Sequence, residues 1–281
     1  METSDLTVVI VTLKSEEVIF TCLDSIPSNI KVIVVENSNN KKFKDQLEEK
    51  YQNTKCILAG ENNGYAIGNN IGLRKVNTKY ALILNPDTVL EKNAIKNFFI
   101  NVQQSLDFAI IGPAIQKKED KSNKILNDEK NLREVEYVKG FAMFLNLKQF
   151  ENVGFFDENF FIYFEEIDLC KRLKSNGKTI YLNKNLEINH IGGSSHNQSI
   201  NLEMELSRNW HWMWSTFYFN KKHHGYFIAL IKILGKFFSS AIKMFYYSLI
   251  FNNKMRKIYF QRFSGLFNSI SGKKSWYRPQ I

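Results

Sequence analysis

The sequence predicts an α/β fold, a Rossmann-like and mostly parallel sheet with helices on both faces, extended at its C-terminus by a basic, aromatic helical region. Three observations predict it. Short runs of Val, Ile and Leu alternate with helical patterns as far as about residue 190, the signature of strand–helix units feeding a parallel sheet. Acidic and Asn residues collect where those runs stop, and ligands of open α/β sheets sit beyond the carboxyl ends of the strands. The charge is divided: 38 Lys and Arg stand against 28 Asp and Glu in 281 residues, a net +10, yet no acid follows Glu205. The chain therefore reads as a mixed-charge body, residues 1–205, and an extension, residues 206–281.

The elements follow in order. Residues 6–11 are an unbroken apolar run and predict a strand buried on both faces. Ser15 is placed to cap a helix that has Glu16 and Glu17 in its first turn and ends before Pro27. Residues 31–35 predict a second strand, stopped by the polar cluster Glu36-Asn37-Ser38-Asn39-Asn40. A charged helix over 42–51 and a third strand over 56–59 come next. Glu61-Asn62-Asn63-Gly64-Tyr65, continuing through Gly68-Asn69-Asn70-Ile71-Gly72, is rich in residues that accept unusual backbone angles and close approach by a ligand. It reads either as a turn with a glycine-rich helix start or as a ligand loop, and its spacing matches neither a dinucleotide nor a Walker fingerprint. Residues 80–84 predict the fourth strand, which ends at Asn85-Pro86-Asp87. Thr12, Glu36, Gly60 with Glu61, and Asp87 thus gather at the carboxyl ends of four strands.

Further on, the patterns predict a helix over 93–104, a strand over 108–111 and a polar, mobile insertion over 117–130. Strand character returns over 134–145, interrupted by Gly140. A helix over 164–176 ends at Gly177 as its C′ residue, and late strands follow over 178–182 and 186–190. Over 225–251 a helical projection places Lys232, Lys236, Ser239 and Lys243 on one narrow face and apolar residues around the rest. Such a helix suits an anionic membrane interface or docking against protein. No stretch reaches the roughly twenty uncharged apolar residues of a membrane span, and the acidic N-terminus is unlike a signal peptide. Cys22, Cys56 and Cys170 lack the close pairs of a zinc site or disulfide framework, and predict buried free thiols in a reducing compartment. Basic and aromatic residues also occur together in nucleic-acid binders, but no nucleic-acid motif is present and none is expected as a partner.

Two stretches carry the chemistry. Residues 155–169 place Asp157, Glu158, Glu165, Glu166 and Asp168 among aromatic side chains, where charge is costly unless paired. Three of these acids open a helix, which its dipole favours by itself, and Asp168 has Arg172 one turn on. Partial desolvation would also raise their proton affinity and suit one of them to general-base work. Asp87, just past a buried strand and a proline, is placed to hold a divalent cation of the Mg²⁺ or Mn²⁺ kind, or to open a turn. His190, followed by Ile191-Gly192-Gly193-Ser194-Ser195, suits a phosphate or metal contact. The expectation is that the two stretches face each other across one active site.

Taken together, Val8-Val9-Ile10-Val11-Thr12, Val34-Val35-Glu36-Asn37-Ser38, Asn62-Asn63-Gly64-Tyr65 with Asn69-Asn70-Ile71-Gly72, Leu84-Asn85-Pro86-Asp87-Thr88, Phe156-Asp157-Glu158 through Leu169-Cys170-Lys171-Arg172, and His190 through Ser195 resemble the family 2 inverting glycosyltransferases, above all the rhamnosyltransferase-like branch. The match runs over about residues 5–200. It implies a GT-A fold, a nucleotide-sugar donor and a metal ion. Asn85-Pro86-Asp87 stands where the family carries Asp-x-Asp, so Asp87 is the expected metal ligand, with His190 beside the diphosphate. Glu36 stands where many members carry a nucleoside-contacting Asp. Thr12, Asn37, Asn63, Gly64, Asn70, Asn85 and Gly140 complete the expected donor site. Glu165-Glu166 stands where the family has Glu-Asp, which makes Glu166 the expected base, with Glu165 and Asp168 as substitutes.

The implied reaction is inversion: the acceptor oxygen loses its proton to Glu166 and attacks the anomeric carbon opposite the departing diphosphate, with no protein nucleophile. The resemblance points to L-rhamnose from dTDP-rhamnose first and a UDP-hexose second. The expected acceptor is a lipid-linked glycan of surface polysaccharide assembly, met at the cytoplasmic face of the membrane. A catalytically inactive sugar-nucleotide-binding relative and a sugar nucleotidyltransferase are the rival readings. The latter normally carries a basic glycine-rich N-terminal loop, which Val11-Thr12-Leu13-Lys14 does not supply.

Overall fold

The first strand, β1 (Leu6–Thr12), is nearly all buried, as an apolar run without alternation requires. In this computed structural model, which describes residues 3–103, 107–114, 131–190 and 200–279, it sits inside the main sheet. The short helix α1 (Ile19–Asp24) follows. Ser15 does not cap it. The Ser15 hydroxyl accepts the Leu13 N–H at 3.2 Å, and its carbonyl takes the N–H groups of Val18 and Ile19 in a turn. The helix therefore begins later than expected. Next come β2 (Lys31–Glu36), α2 (Lys41–Lys50) and β3 (Thr54–Leu58). Asn40 caps α2 by accepting the Phe43 N–H at 3.0 Å, the ordinary N-cap bond.

The chain continues through α3 (Gly64–Leu73), β4 (Tyr80–Leu84), β5 (Thr88–Leu90), α4 (Ala94–Gln103) and β6 (Ile110–Pro113). The insertion expected over 117–130 lies outside the described residues. The strand expected over 134–145 is instead two separate strands, β7 (Leu132–Glu134) and β8 (Ala142–Asn146). Only the second has the apolar run that a central position needs, and the first lies at the sheet edge. Then come α5 (Glu165–Ser175), β9 (Ile180–Asn183) and β10 (Ile188–His190). Gly177 follows α5 with φ of +70°, as a C′ residue does. Three long helices complete the chain: α6 (Asn201–His224), α7 (Tyr226–Leu249) and α8 (Asn253–Ile270).

The eight-stranded sheet has the order β3-β2-β1-β4-β8-β6-β9-β7, and β5 pairs with β10 in a separate two-stranded sheet. Strands β3, β2, β1 and β4 are mutually parallel. Strand β8 enters antiparallel between β4 and β6, β6 and β9 are parallel, and β7 closes the edge antiparallel. Val8, Ile10, Val32 and Val34 share one core with Ile19 of α1, Phe43 of α2 and Phe98 of α4. Val9 and Val11 point to the opposite face, where α3 lies. A Cβ on Gly72 would come within 2.5 Å of Val9, and one on Gly68 within 2.7 Å of Val11. The glycines of α3 therefore let a helix lie close against β1.

The chain divides into two compact units. The first comprises Met1–Asn62, Gly68–Phe156 and Leu169–His196, and contains both sheets. The second comprises Asn63–Ile67, Asp157–Asp168 and Asn197–Ile281. In the second, α6, α7 and α8 close around Met213, Phe217, Ala229, Ile233 and Leu266. Trp210 is fully buried, and Gly265 of α8 sits directly against its carbonyl, leaving no room for a Cβ. Beside it His211 is fully buried, with Nε2 2.8 Å from the Tyr277 carbonyl and Nδ1 3.0 Å from the Ser275 hydroxyl. Burial pushes its pKa down to about 3, so the ring is neutral and ties the C-terminal strap, residues 275–278, to α6.

Candidate active site

In the first unit the polar residues at the strand ends gather as their register requires. Thr12 pairs with Glu36 across β1 and β2, and Ile10 pairs with Leu84 across β1 and β4. The Thr12 carbonyl accepts the Asn37 N–H at 2.9 Å, and its hydroxyl reaches the Val35 carbonyl at 3.4 Å. Glu36 is fully buried and folds the loop after it. Its Oε1 accepts the Ser38 N–H at 2.9 Å and the Ser38 hydroxyl, and its Oε2 accepts the Asn40 N–H at 2.6 Å. Glu36 is thus first of all an organiser of the 36–40 loop, with buried Asn37 in it.

The turn after β4 is built by Asn85. Its N–H donates to the Phe141 carbonyl at 2.9 Å, and its own carbonyl accepts the Thr88 N–H at 3.2 Å and the Thr88 hydroxyl at 2.7 Å. Gly140 precedes Phe141 and so borders this turn. Asp87 lies in the turn and is 3% exposed. The pairing of β10 with β5 sets His190 opposite Thr88, the residue after Asp87. The His190 side chain and residues 191–196 lie outside the described residues. The Cys22 thiol sits 3.7 Å from both the Asn85 carbonyl and the Thr88 hydroxyl. Burial, with the charge of Asp87 adding to it, pushes its pKa up to about 12, so it is an inert thiol rather than a nucleophile. All three cysteines are buried and free.

Asn70, expected at the donor, uses its amide on the backbone: Nδ2 donates to the Phe156 carbonyl at 2.9 Å and Oδ1 accepts the Phe156 N–H at 3.1 Å. Among the described residues no three His, Cys, Asp or Glu side chains form a metal cluster. A hard cation that keeps its waters and takes diphosphate oxygens needs as little as one carboxylate. Asp87, buried at the strand ends, meets that requirement, so this edge fits Mg²⁺ or Mn²⁺ held jointly with a phosphate.

The second unit contains the acid-bearing stretch Asp157–Asp168. Tyr163 and Phe164 both have left-handed backbones, with φ of +72° and +70°, which costs about 1–2 kcal/mol per non-Gly residue. The surroundings hold them there. Tyr163 meets Trp212 edge-on at 5.2 Å, and Phe164 packs on Trp212 and Phe219 at 5.3 Å. The Ile162 carbonyl accepts the Ser215 hydroxyl at 3.0 Å. The Phe161 carbonyl accepts the Tyr65 N–H at 2.7 Å, and its ring stacks on His211 at 4.3 Å. Gly64, with φ of +74°, lies so close to Phe161 that a Cβ has no space. Asn63 and Gly64 thus lead into the backbone contact that supports the acids.

One ammonium ties both ends of the stretch. Lys222, near the end of α6, places Nζ 2.7 Å from Asp157 Oδ2 and 2.7 Å from Asp168 Oδ1. The His223 Nε2 adds a bond to Asp168 Oδ1 at 2.8 Å, and the Tyr218 hydroxyl donates to Asp157 Oδ2 at 3.0 Å. Asp168 is fully buried beneath these groups, which fasten it to the end of α6. The other expected partner, Arg172, donates to the carbonyls of Val153, at 2.8 Å, and Phe155. Glu165 is 5% exposed, and its Oε2 has no hydrogen-bond partner among the described residues. Burial, followed by the charge of Glu166, raises its pKa well above the carboxylate range. Glu166 beside it is only partly buried. The sequence reading missed Lys222, His223 and Tyr218, because Lys221-Lys222-His223-His224 reads as one more basic cluster of the extension.

The sequence profile of glycosyl transferase family 2 matches residues 7–170. The chain belongs to glycosyl transferase family 2. This family 2 glycosyltransferase is 31% identical over 192 residues to the low-salt glycan biosynthesis hexosyltransferase Agl10 of Haloferax volcanii. That alignment covers 60% of the chain and 62% of the relative, so the chain spans less than two thirds of the relative's length. Among solved structures it resembles the mannosyltransferase PcManGT of Pyrobaculum calidifontis, described in complex with GDP-Man and Mn²⁺. The TM-score is 0.61 at 12% identity, covering 96% of this chain and 88% of the other. It also resembles S. aureus TarS residues 1–349 in complex with UDP, with a TM-score of 0.54 at 14% identity, covering 98% and 94%. At these identities the likeness shows the fold, which is GT-A with a C-terminal three-helix region.

Proposed function

We propose that this glycosyltransferase moves a hexose, with inversion, from a nucleoside diphosphate donor to a hydroxyl of a lipid-linked glycan, as a step in surface polysaccharide assembly. The observation that carries the reading is the division of labour in the first turn of α5. A buried Glu165, its proton affinity raised by burial and by the charge of Glu166, stands beside the less buried Glu166, the kind of carboxyl pair whose unlike surroundings suit one member to act as a base. The relatives favour a hexose over the L-rhamnose expected from the sequence, since they are described as a hexosyltransferase and a mannosyltransferase. A nucleotide-sugar and a metal are supported by the GDP-Man and Mn²⁺ of one structural neighbour and the UDP of another.

Glu166 accepts the proton of the acceptor hydroxyl as that oxygen attacks the anomeric carbon. Asp87 would hold Mg²⁺ or Mn²⁺ when bound, and that cation would supply charge stabilisation for the leaving diphosphate. Thr12, Asn37 and Asn85 line the strand ends where the nucleotide is expected, and the loop folded by Glu36 holds Asn37. Among the described residues no helix is long and apolar enough to cross a membrane. Exposed apolar residues on the C-terminal helices support attachment at the cytoplasmic membrane face, where a lipid-linked acceptor resides.

The test is a panel of UDP-, GDP- and dTDP-sugars, followed for binding and slow hydrolysis with Mn²⁺, with Mg²⁺ and with EDTA. One donor should be consumed in a metal-dependent way. Asp87→Ala should lose that dependence, and Glu166→Gln should bind the donor but lose transfer by about 10²–10⁴-fold. Transfer at the wild-type rate by Glu166→Gln removes Glu166 from the role.

A further inference from the structure

Helix α7 carries two apolar stripes on opposite sides, and the bundle uses only one. Ala229, Ile233 and Ser240 are buried, and Phe237 packs on Phe263 of α8 at 4.8 Å. Half a turn round the helix, Phe227, Ile231, Phe238, Ile242, Phe245 and Leu249 are 57 to 80% exposed. Their spacing of three, four and seven residues keeps them in one line along the 24-residue helix. Single exposed apolar residues are ordinary, but a continuous ridge of this length marks an interaction surface. Lys232, Lys236 and Lys243 run along one border of it, and from Gly225 to Ile281 the sequence holds ten Lys and Arg and no Asp or Glu.

From this geometry we infer that the outer ridge of α7 is the seat of an anionic bilayer surface. The helix lies along the interface, with the ridge at the acyl boundary and the lysine border among the headgroups. The inference deepens the membrane attachment proposed above and rests on it. Charge selects the occupant. In an isologous contact a second copy brings the same surface to the patch. Here that sets lysines against lysines with no acid in the region to pair them, a juxtaposition that opposes association. Anionic headgroups meet the same lysines favourably. The inner stripe adds a consequence: α7 is already folded by its packing on α6 and α8, so binding requires no coil-to-helix transition. Deleting the chain from residue 225 is an unsuitable test, because the same bundle holds Lys222, His223 and the acid-bearing stretch.

The experiment is co-sedimentation of the full chain with vesicles of phosphatidylcholine alone or mixed with phosphatidylglycerol. The variants are Phe227→Ser/Phe238→Ser/Phe245→Ser and Lys232→Gln/Lys243→Gln. Wild type should bind the anionic vesicles with an unchanged far-ultraviolet circular dichroism spectrum. The triple variant should lose binding while keeping the wild-type melting temperature. The lysine variant should bind about 25-fold more weakly at low salt, from roughly fivefold for each surface lysine removed. Wild type that stays in the supernatant, variants that bind as wild type, or a gain of helix on binding each overturn the inference. So does a vesicle-free dimer in analytical ultracentrifugation that the triple variant dissolves. Metal-dependent donor hydrolysis without vesicles is measured alongside. Its absence counts against the glycosyltransferase reading and leaves the membrane result to stand alone.

Discussion

Replacing Lys222 by Met is the sharpest probe of how the acid-bearing stretch is held. The ammonium is 27% exposed, while Asp168 is fully buried and Asp157 only 14% exposed. Removing one partner of a buried ion pair costs about 3–5 kcal/mol, because the remaining charge is left desolvated. His223 and Tyr218 still donate to the two carboxylates, and some water reaches the site, so about 2–3 kcal/mol is the expected loss. At roughly 2–4 °C per kcal/mol for a chain of this size, the melting temperature should fall by about 5–10 °C. Burial alone would raise the Asp157 pKa, but the bonds from Lys222 and Asn159 outweigh it, and the net shift is downward. A depressed folded pKa contributes stability above the unfolded value, and that stability is lost as pH falls through the folded pKa. The gap between wild type and Lys222→Met should therefore be full at neutral pH and shrink below about pH 4. Scanning calorimetry across that range measures it, with Lys221→Met as the control, since Lys221 lies over the face of Tyr226, at 5.9 Å. The left-handed Tyr163 and Phe164 precede Glu165 and Glu166, so kcat should fall more than donor KM rises. A Lys222→Met protein that melts with wild type at every pH and turns over normally refutes the tie.

Two further outcomes follow from the same unit. Glu165→Gln should retain transfer and, at pH 7, melt above wild type. A folded pKa raised above the unfolded one lowers stability as pH rises from the unfolded value through the folded one, and Gln removes that penalty. The two curves should meet near pH 4, and loss of transfer equal to that of Glu166→Gln would assign the base to Glu165 instead. Gly64→Ala should cost at least about 2 kcal/mol, from the left-handed backbone and the displacement of Phe161. Gly60→Ala, with φ of +81° but open space around it, should cost only the backbone part, about 1 kcal/mol, and equal melting of the two variants would remove the Phe161 contact from the argument.

The strand ends were legible because they follow from local chemistry. Apolar runs that stop at Glu36 and at Asn85-Pro86-Asp87 fix where strands end, and parallel register then gathers those ends. What a local pattern cannot say is which bonds a polar side chain makes. Asn70 and Glu36 read as ligand contacts, yet their hydrogen bonds hold Phe156 and the 36–40 loop. The halves of the strand expected over 134–145 are separated because pairing partners, not propensity, decide strand membership.

The sequence by itself determined the α/β class, the family, the place of Asp87 just past a strand and of Glu166 at a helix start, and the amphipathic character of α7, since each rests on spacing within a few turns or strands. Only the tertiary structure decided that the acid stretch Asp157–Asp168 shares a unit with the C-terminal helices. It also decided that Lys222 bridges two carboxylates more than fifty residues away in the chain, and that α7 buries one apolar stripe while leaving the other exposed. These are choices among partners distant in sequence, and packing and desolvation make them where periodicity carries no information.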